Sequence, residues 1–276
     1  MASPEIALSA RGLRFGYGDQ PVLDGLDLDV AAGEIVGLIG PNGCGKSTMI
    51  RILSGLLEPA AGTVSLFDRP LASMNRREIA CQLAVVPQEP QFAFPFRAIE
   101  VVLMGRHPHL SGLAFESEAD RKVAMEAMER CGATELADRP VQQLSSGERQ
   151  RIVFARALTQ QPKVLLLDEP ASFLDIRHQV ELYDMVRAEA RERGVAVLSV
   201  LHDLNLAAEY CDRIALMRDG RFVDCGPTDQ VFSYQNLTEV FGTEVYVDTN
   251  ALTGKMLVVP LSGRAQRELQ DDEESP

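Results

Sequence analysis

Two stretches of this chain hold side chains whose types and spacing amount to chemistry. The first is GPNGCGKST: Gly40, Pro41, Asn42, Gly43, Cys44, Gly45, Lys46, Ser47 and Thr48. It follows a short apolar run (GEIVGLIG) and opens a helix-compatible one (KSTMIRILSGL). In that setting glycines let main-chain N–H groups curl around phosphate oxygens, and the helix that follows presents its positive end. Lys46 would reach β- and γ-phosphates, and the Ser47 hydroxyl would ligate Mg2+. The second stretch, KVLLLDEP, is an apolar strand ending in Asp168 and Glu169. Carboxylates at the carboxyl end of a buried strand stand where open α/β sheets bind ligands. Asp168 would complete the Mg2+ shell, and Glu169 would orient and polarise a water for attack on phosphorus. The expected ligands are a nucleotide with β- and γ-phosphates and Mg2+, and the expected reaction is hydrolysis at the terminal phosphate. Cys44 lies inside the loop, so bound nucleotide should shield its thiol.

A third stretch, QQLSSGERQR (142–151), is a capping box by its spacing. The Ser145 hydroxyl would accept from the Glu148 N–H, and Glu148 would reach back to residue 145. Taken alone it predicts only a well-started helix, from Glu148 to Leu158.

The elements that must position these groups follow from periodicity. Residues 6–30 alternate apolar and polar, predicting antiparallel strands with turns at Gly16-Tyr17-Gly18 and Asp24-Gly25. Residues 63–67 and 83–87 are further strands. From 92 to 145 the spacing turns helical, with Ser117 as a cap and Gly132 as a stop. Strand–helix alternation then resumes in KVLLLDEP, DIRHQVELYDMVRAEARERG, VAVLSVLHD and DRIALMRDG. This is an α/β chain with layers. Its core lies at 1–91 and 146–221, its helical insertion at 92–145, a small closing segment at 222–262 and an acidic disordered tail at 263–276.

Composition narrows the function classes. The 276 residues carry 40 acidic against 27 basic side chains, a net charge of −13, which excludes nucleic acid as a main partner. Five scattered cysteines with no C-x-x-C pair argue against disulfides or zinc and fit a reducing compartment. No apolar run reaches the ~18–20 residues of a membrane span, and MASPEIALSARG lacks a signal peptide's basic start and apolar core. The expectation is a cytoplasmic chain that any membrane role would reach through a partner.

With these motifs in view, the chain resembles the nucleotide-binding subunits of ABC transporters, which implies a P-loop ATPase core with an antiparallel β part and an inserted α-helical subdomain. Beyond the phosphate loop and VLLLDE, four elements follow the family's order: Gln88 in VVPQEP, LSSGE at 144–148, SFLD ending at Asp175, and His202 in VLSVLHD. Tyr17 stands where the family stacks an aromatic ring on adenine. Together these elements cover residues 11 to about 220. The resemblance implies a head-to-tail dimer in which Ser145, Ser146, Gly147 and Glu148 of one copy cap the γ-phosphate bound by the other. It gives Gln88 a place near Mg2+ and a role in moving the insertion, His202 a hold on the γ-phosphate, and Asp175 communication across the interface. Two departures stand out. The turn reads Ser-Ser-Gly rather than Ser-Gly-Gly, so Ser146, without a glycine's φ > 0 freedom, should leave it slightly stiffer or differently set. PASFLD replaces the usual PTSALD, so Phe173 adds bulk at the interface.

The segments FRAIEVVLMGRHPHL and EVYVDTNALTGKMLVVP resemble ATPases that serve importers of iron–siderophores, haem and cobalamin. The partners so implied are a second copy of the chain, integral membrane permease subunits and, indirectly, a periplasmic or extracellular substrate-binding protein. The location would be the cytoplasmic face of the inner membrane. His107 and His109 lack a third ligand, so the GRHPH run is not read as a metal site. Residues 92–110, with the apolar FAFPF, are expected to contact the membrane partner. An exporter ATPase and a soluble iron–sulfur assembly ATPase are the alternatives.

Overall fold

A computed structural model describes residues 5–88, 92, 94–110 and 115–264. The chain opens with two long strands, β1 (Ile6–Tyr17) and β2 (Gln20–Ala31), then a short one, β3 (Ile35–Ile39), and helix α1 (Lys46–Leu53). There follow β4 (Ala61–Leu66), β5 (Arg69–Pro70), α2 (Arg76–Ala80), β6 (Leu83–Val86), α3 (Ala98–Leu103), α4 (Glu118–Arg130) and α5 (Ser146–Thr159). The next elements are β7 (Val164–Asp168), α6 (Ile176–Arg193), β8 (Ala196–Val200), α7 (Leu204–Tyr210), β9 (Arg213–Arg218) and β10 (Arg221–Pro227). Two short helices, α8 (Thr228–Val231) and α9 (Tyr234–Phe241), and a hairpin of β11 (Val245–Thr249) and β12 (Met256–Pro260) complete it.

The central sheet runs β10-β9-β3-β8-β7-β6 and is parallel except for β10. β3 (IVGLI) and β8 (AVLSV) are buried along their whole length, which is why they read as unbroken apolar runs rather than alternating ones. Ile35 and Ile39 point into the core shared with α3–α7, whereas Val36 and Leu38 point into the one shared with β1, β2 and α1. The second sheet, β2-β1-β4-β5, is antiparallel.

That sheet corrects the turn assignment. Asp24-Gly25 is not a turn: β2 runs through it, and the register against β1 shifts between Leu13–Leu26 and Arg14–Asp24, a bulge that takes up the glycine. The chain reverses instead at Gly18 and Asp19, between Tyr17 and Gln20. The closing segment at 222–262 also divides differently. β10 pairs with β9 and is the edge of the central sheet, and only α8, α9 and the hairpin lie beyond it.

Helix boundaries obey local chemistry. Ser117 caps α4 in a reciprocal box with Asp120, and Asp175 caps α6, which stops at a left-handed Gly194. α4 is pinned to the core by Arg130, whose guanidinium lies 2.6 Å from the buried Glu189 of α6. The β11–β12 hairpin is fastened to α7: the Asn205 amide donates to the Val258 carbonyl (3.1 Å) and accepts from the Val258 N–H (2.8 Å). No described helix is long and apolar enough to cross a membrane. The acidic residues of the tail lie outside the described residues.

Candidate nucleotide site

Four parallel strands lie side by side in the order β3-β8-β7-β6, and each releases a candidate residue at its carboxyl end. β3 leads into the phosphate loop, β8 into His202, β7 into Asp168 and Glu169, and β6 into Gln88. Parallel packing of strands far apart in sequence is what brings the motifs to one edge.

The loop is built around the space that glycines leave. A β-carbon on Gly40 would lie 2.1 Å from the Met217 carbonyl oxygen and 2.8 Å from Cys44 Sγ. Gly45 stands at φ +111, a conformation closed to side-chain-bearing residues, and it is the N-terminal boundary of α1. The turn after β9 forms the floor, where the Gly220 N–H donates to the Cys44 carbonyl (3.2 Å). Gly40→Ala is therefore expected to destabilise the protein by about 1–3 kcal/mol and to weaken nucleotide binding with it. Thermal denaturation and a nucleotide titration of the variant check both.

α1 starts without a side-chain cap and without an acidic residue in its first turn, whereas α2, α4, α5, α6, α7 and α9 all begin with a side chain accepting a main-chain hydrogen. An uncapped helix end leaves N–H donors facing the loop, and a phosphate would satisfy them. Lys46 is 5% exposed, and its ammonium donates to the carbonyls of Gly40 (2.8 Å) and Pro41 (3.0 Å). The cation is thus held at the loop by main-chain acceptors. Asn42 and Gly43 are exposed, and Thr48 is buried. Cys44 departs from expectation: its side chain is buried under the loop, and burial pushes the thiol pKa up. The fold itself shields it, with or without nucleotide.

The Ser47 hydroxyl donates to Asp168 Oδ1 (3.2 Å), so the two oxygens predicted to share a cation meet. An oxygen pair of this kind suits a hard divalent ion. Burial raises the Asp168 carboxyl pKa, against the hydrogen bond from Ser47 and with the repulsion of Glu169. A raised folded-state pKa contributes stability below the ordinary carboxylate range and loses it as the pH rises through the folded value, so at neutral pH ionised Asp168 is a cost. Asp168→Asn should therefore raise the Tm of the nucleotide-free protein at neutral pH, and the gain should shrink as the pH falls toward that range. Melting curves across pH test the sign.

Glu169 sits in the left-handed region at φ +51, an uncommon place for a side-chain-bearing residue and one that marks functional loops. Its carboxylate is gripped from three sides. Gln88 Nε2 donates to Oε2 (2.6 Å), His202 Nε2 lies 2.6 Å from Oε1, and Ser172 Oγ donates to Oε2 (3.2 Å). Two predicted residues from two other loops thus converge on the predicted Glu169 carboxylate, and Ser172 is a third partner that sequence reasoning missed. Tyr17, at the end of β1, is 49% exposed and packs edge-on against Phe15 with ring centroids 5.0 Å apart, leaving a face open.

The Ser145–Glu148 box forms as its spacing dictates. Ser145 Oγ accepts from the Glu148 N–H (3.3 Å), and Glu148 Oε2 accepts from the Ser145 N–H (2.8 Å), which holds the Glu148 carboxyl pKa low. Arg139 takes the other carboxylate oxygen at 2.8 Å. Ser146 does not stiffen a turn: it is the first residue of α5, helical and exposed, and a side chain costs nothing there. The GRHPH run is a 3-10 helix tied at both ends. Arg106 bonds Asp120 (2.8 Å), and the His109 ring meets the Gln160 carbonyl (2.8 Å).

The sequence profile described as ABC transporter matches residues 23–172. The hemin import ATP-binding protein HmuV of Streptomyces coelicolor is 44% identical over 259 residues, covering 94% of this chain and 91% of that one. A metal-chelate type ABC transporter solved in an inward-facing conformation superposes with a TM-score of 0.84 at 29% identity, covering 94% of this chain and 99% of that one. A bacterial ABC transporter cassette solved as a dimer, MJ0796, gives 0.70 at 27% identity over 80% and 98%. The chain belongs to the ABC transporter family, as an ATP-binding subunit that hydrolyses ATP.

Proposed function

We propose that this protein powers import of a metal chelate, haem foremost among haem, iron–siderophores and cobalamin, through a separate membrane permease fed by a substrate-binding protein. The observation that carries the reading is the near full-length relationship, at 44% identity, to a hemin import ATP-binding protein. The likeness to a metal-chelate type transporter supports it.

In this reading ATP lies with its adenine on Tyr17 and its phosphates in the loop from Gly40 to Thr48. Ser47, Asp168 and Gln88 would hold Mg2+, which would supply positive charge against the phosphate oxygens. Lys46 binds the β- and γ-phosphates. Glu169 accepts a proton from, and so orients, the attacking water, once Gln88 and His202 turn from the carboxylate to the nucleotide. His202 then holds the γ-phosphate. Ser145, Gly147 and the start of α5 meet that phosphate from a second copy packed head to tail. Phe173 and Ile176, 65% and 80% exposed beside Asp175, are apolar surface that such a packing covers. Phe94, 64% exposed before α3 and six residues after Gln88 in sequence, fits contact with the permease. Because the γ-phosphate is bound from both sides, ATP favours the closed pair and hydrolysis releases it.

The test is a tagged Glu169→Gln pull-down with ATP from detergent-solubilised membranes, read by mass spectrometry. A polytopic permease in one-to-one amount, whose vesicles take up haem on ATP addition, is the expected result. An exporter subunit, or only a soluble iron–sulfur scaffold, overturns the import reading and leaves the ATPase standing.

A further inference from the structure

The signature turn (Ser145–Gly147) and the Asp175 loop lie some thirty residues apart in sequence, and one imidazole touches both. Gly147, the second residue of α5, is buried, and a β-carbon built on it would lie 2.7 Å from Cδ2, 2.8 Å from Cγ and 3.0 Å from Nε2 of His178. Its φ is not in the left-handed region, so backbone conformation does not demand a glycine here. The ring of His178 takes the space that a side chain would fill. On its other side, Nδ1 of the same ring lies 2.7 Å from Asp175 Oδ1, and that oxygen also accepts from the His178 main-chain N–H at 3.0 Å. An ionised carboxylate only accepts, so the Nδ1 hydrogen points to Asp175 and fixes the ring's orientation. Leu174, Leu182 and Met185 line the same small cavity beside the ring.

We propose that His178 is a positioning residue that fixes the signature turn to the Asp175 loop within one subunit, so that both reach the partner's nucleotide as one unit. This rests on the reading of Ser145, Gly147 and Asp175 as groups that act across a head-to-tail pair. Loss of His178 lets the two elements settle separately, and misplacement by about 1 Å costs up to ~10²-fold in rate. Binding of ATP to the same chain's phosphate loop does not involve it.

The experiment measures ATPase kcat and KM of the full chain for His178→Ala, His178→Asn, Gly147→Ala and the Gly147→Ala/His178→Ala pair, with Ser145→Ala as reference. His178→Ala should lower kcat about tenfold or more, as supporting groups do, with KM for ATP within about twofold. His178→Asn, whose amide can still donate to Asp175, should recover most of that loss. The double variant should be far less impaired than the product of the two single losses, because removing the ring relieves the clash that the new methyl creates. Multiplicative losses, an unchanged kcat in His178→Ala, or a defect confined to KM overturn the proposal. If Ser145→Ala turns over normally, the cross-subunit reading itself fails and takes the proposal with it. If Ser145→Ala is impaired and His178→Ala is not, only the proposal falls.

Discussion

Glu169→Gln binds ATP with near-normal affinity and hydrolyses it about 10²–10⁴-fold more slowly, the range lost when a positioned general base is removed. The change conserves shape and replaces one acceptor oxygen by an amide. Gln88 and Ser172 keep an oxygen to donate to, so the loop after β7 retains its anchors. What disappears is the charge to which the proposed mechanism gives the water's proton. In the proposed cycle hydrolysis parts the pair, so the variant should accumulate as a closed dimer in ATP and not in ADP. Single-turnover hydrolysis and size-exclusion chromatography with each nucleotide read the two consequences separately. Near-normal turnover would move the base to another residue, and the His202 ring, 2.6 Å away, would be the first to examine.

Lys46→Ala fails one step earlier. The ammonium is buried, and its acceptors are two carbonyls of the loop itself. Removing it deprives the bound phosphates of their one buried cation in the loop, and charge stabilisation lost from such a site costs about 2.7–4 kcal/mol, or 10²–10³-fold. The Gly40 and Pro41 carbonyls also lose their donor, at about 1–3 kcal/mol for an unsatisfied buried acceptor. The expected result is turnover near background with strongly weakened ATP binding, shown by a fluorescent nucleotide titration. Tight binding without turnover would place Lys46 on the transition state alone. The two variants thus separate binding from chemistry.

The site was largely legible in the sequence because its parts are contiguous. The phosphate loop, the acids ending β7 and the Ser145 box each fit within nine residues, and each carries its own physical reason. Where expectation failed, a long-range contact had outweighed a local rule. Asp24-Gly25 has the composition of a hairpin turn, but continued pairing with β1 turns it into a bulge. Ser146 is a local exception: it was expected to leave the turn slightly stiffer or differently set, yet the helix begins at that residue. Cys44 follows the exposed Asn42 and Gly43, and its burial comes with the packing of the loop on β9 and the turn after it, whose Gly220 N–H meets the Cys44 carbonyl. His178 offered only its spacing of three from Asp175. That its ring fills the space over Gly147 follows from α5 meeting α6, which no local pattern encodes.

The floor under the phosphate loop has a consequence for biosynthesis. Gly40 packs on the carbonyl of Met217, and Gly220 closes the loop through Cys44, so residues some 175 positions downstream complete a structure that begins at residue 40. β3 itself enters the sheet between β8 and β9, both made late. Contacts of such sequence separation form slowly and leave early segments waiting. A chain emerging from the ribosome therefore carries the loop's sequence for most of its synthesis without the loop's shape. Nucleotide is no help to the first two thirds of the chain as it folds, and ATP binding marks a polypeptide whose central sheet is already closed.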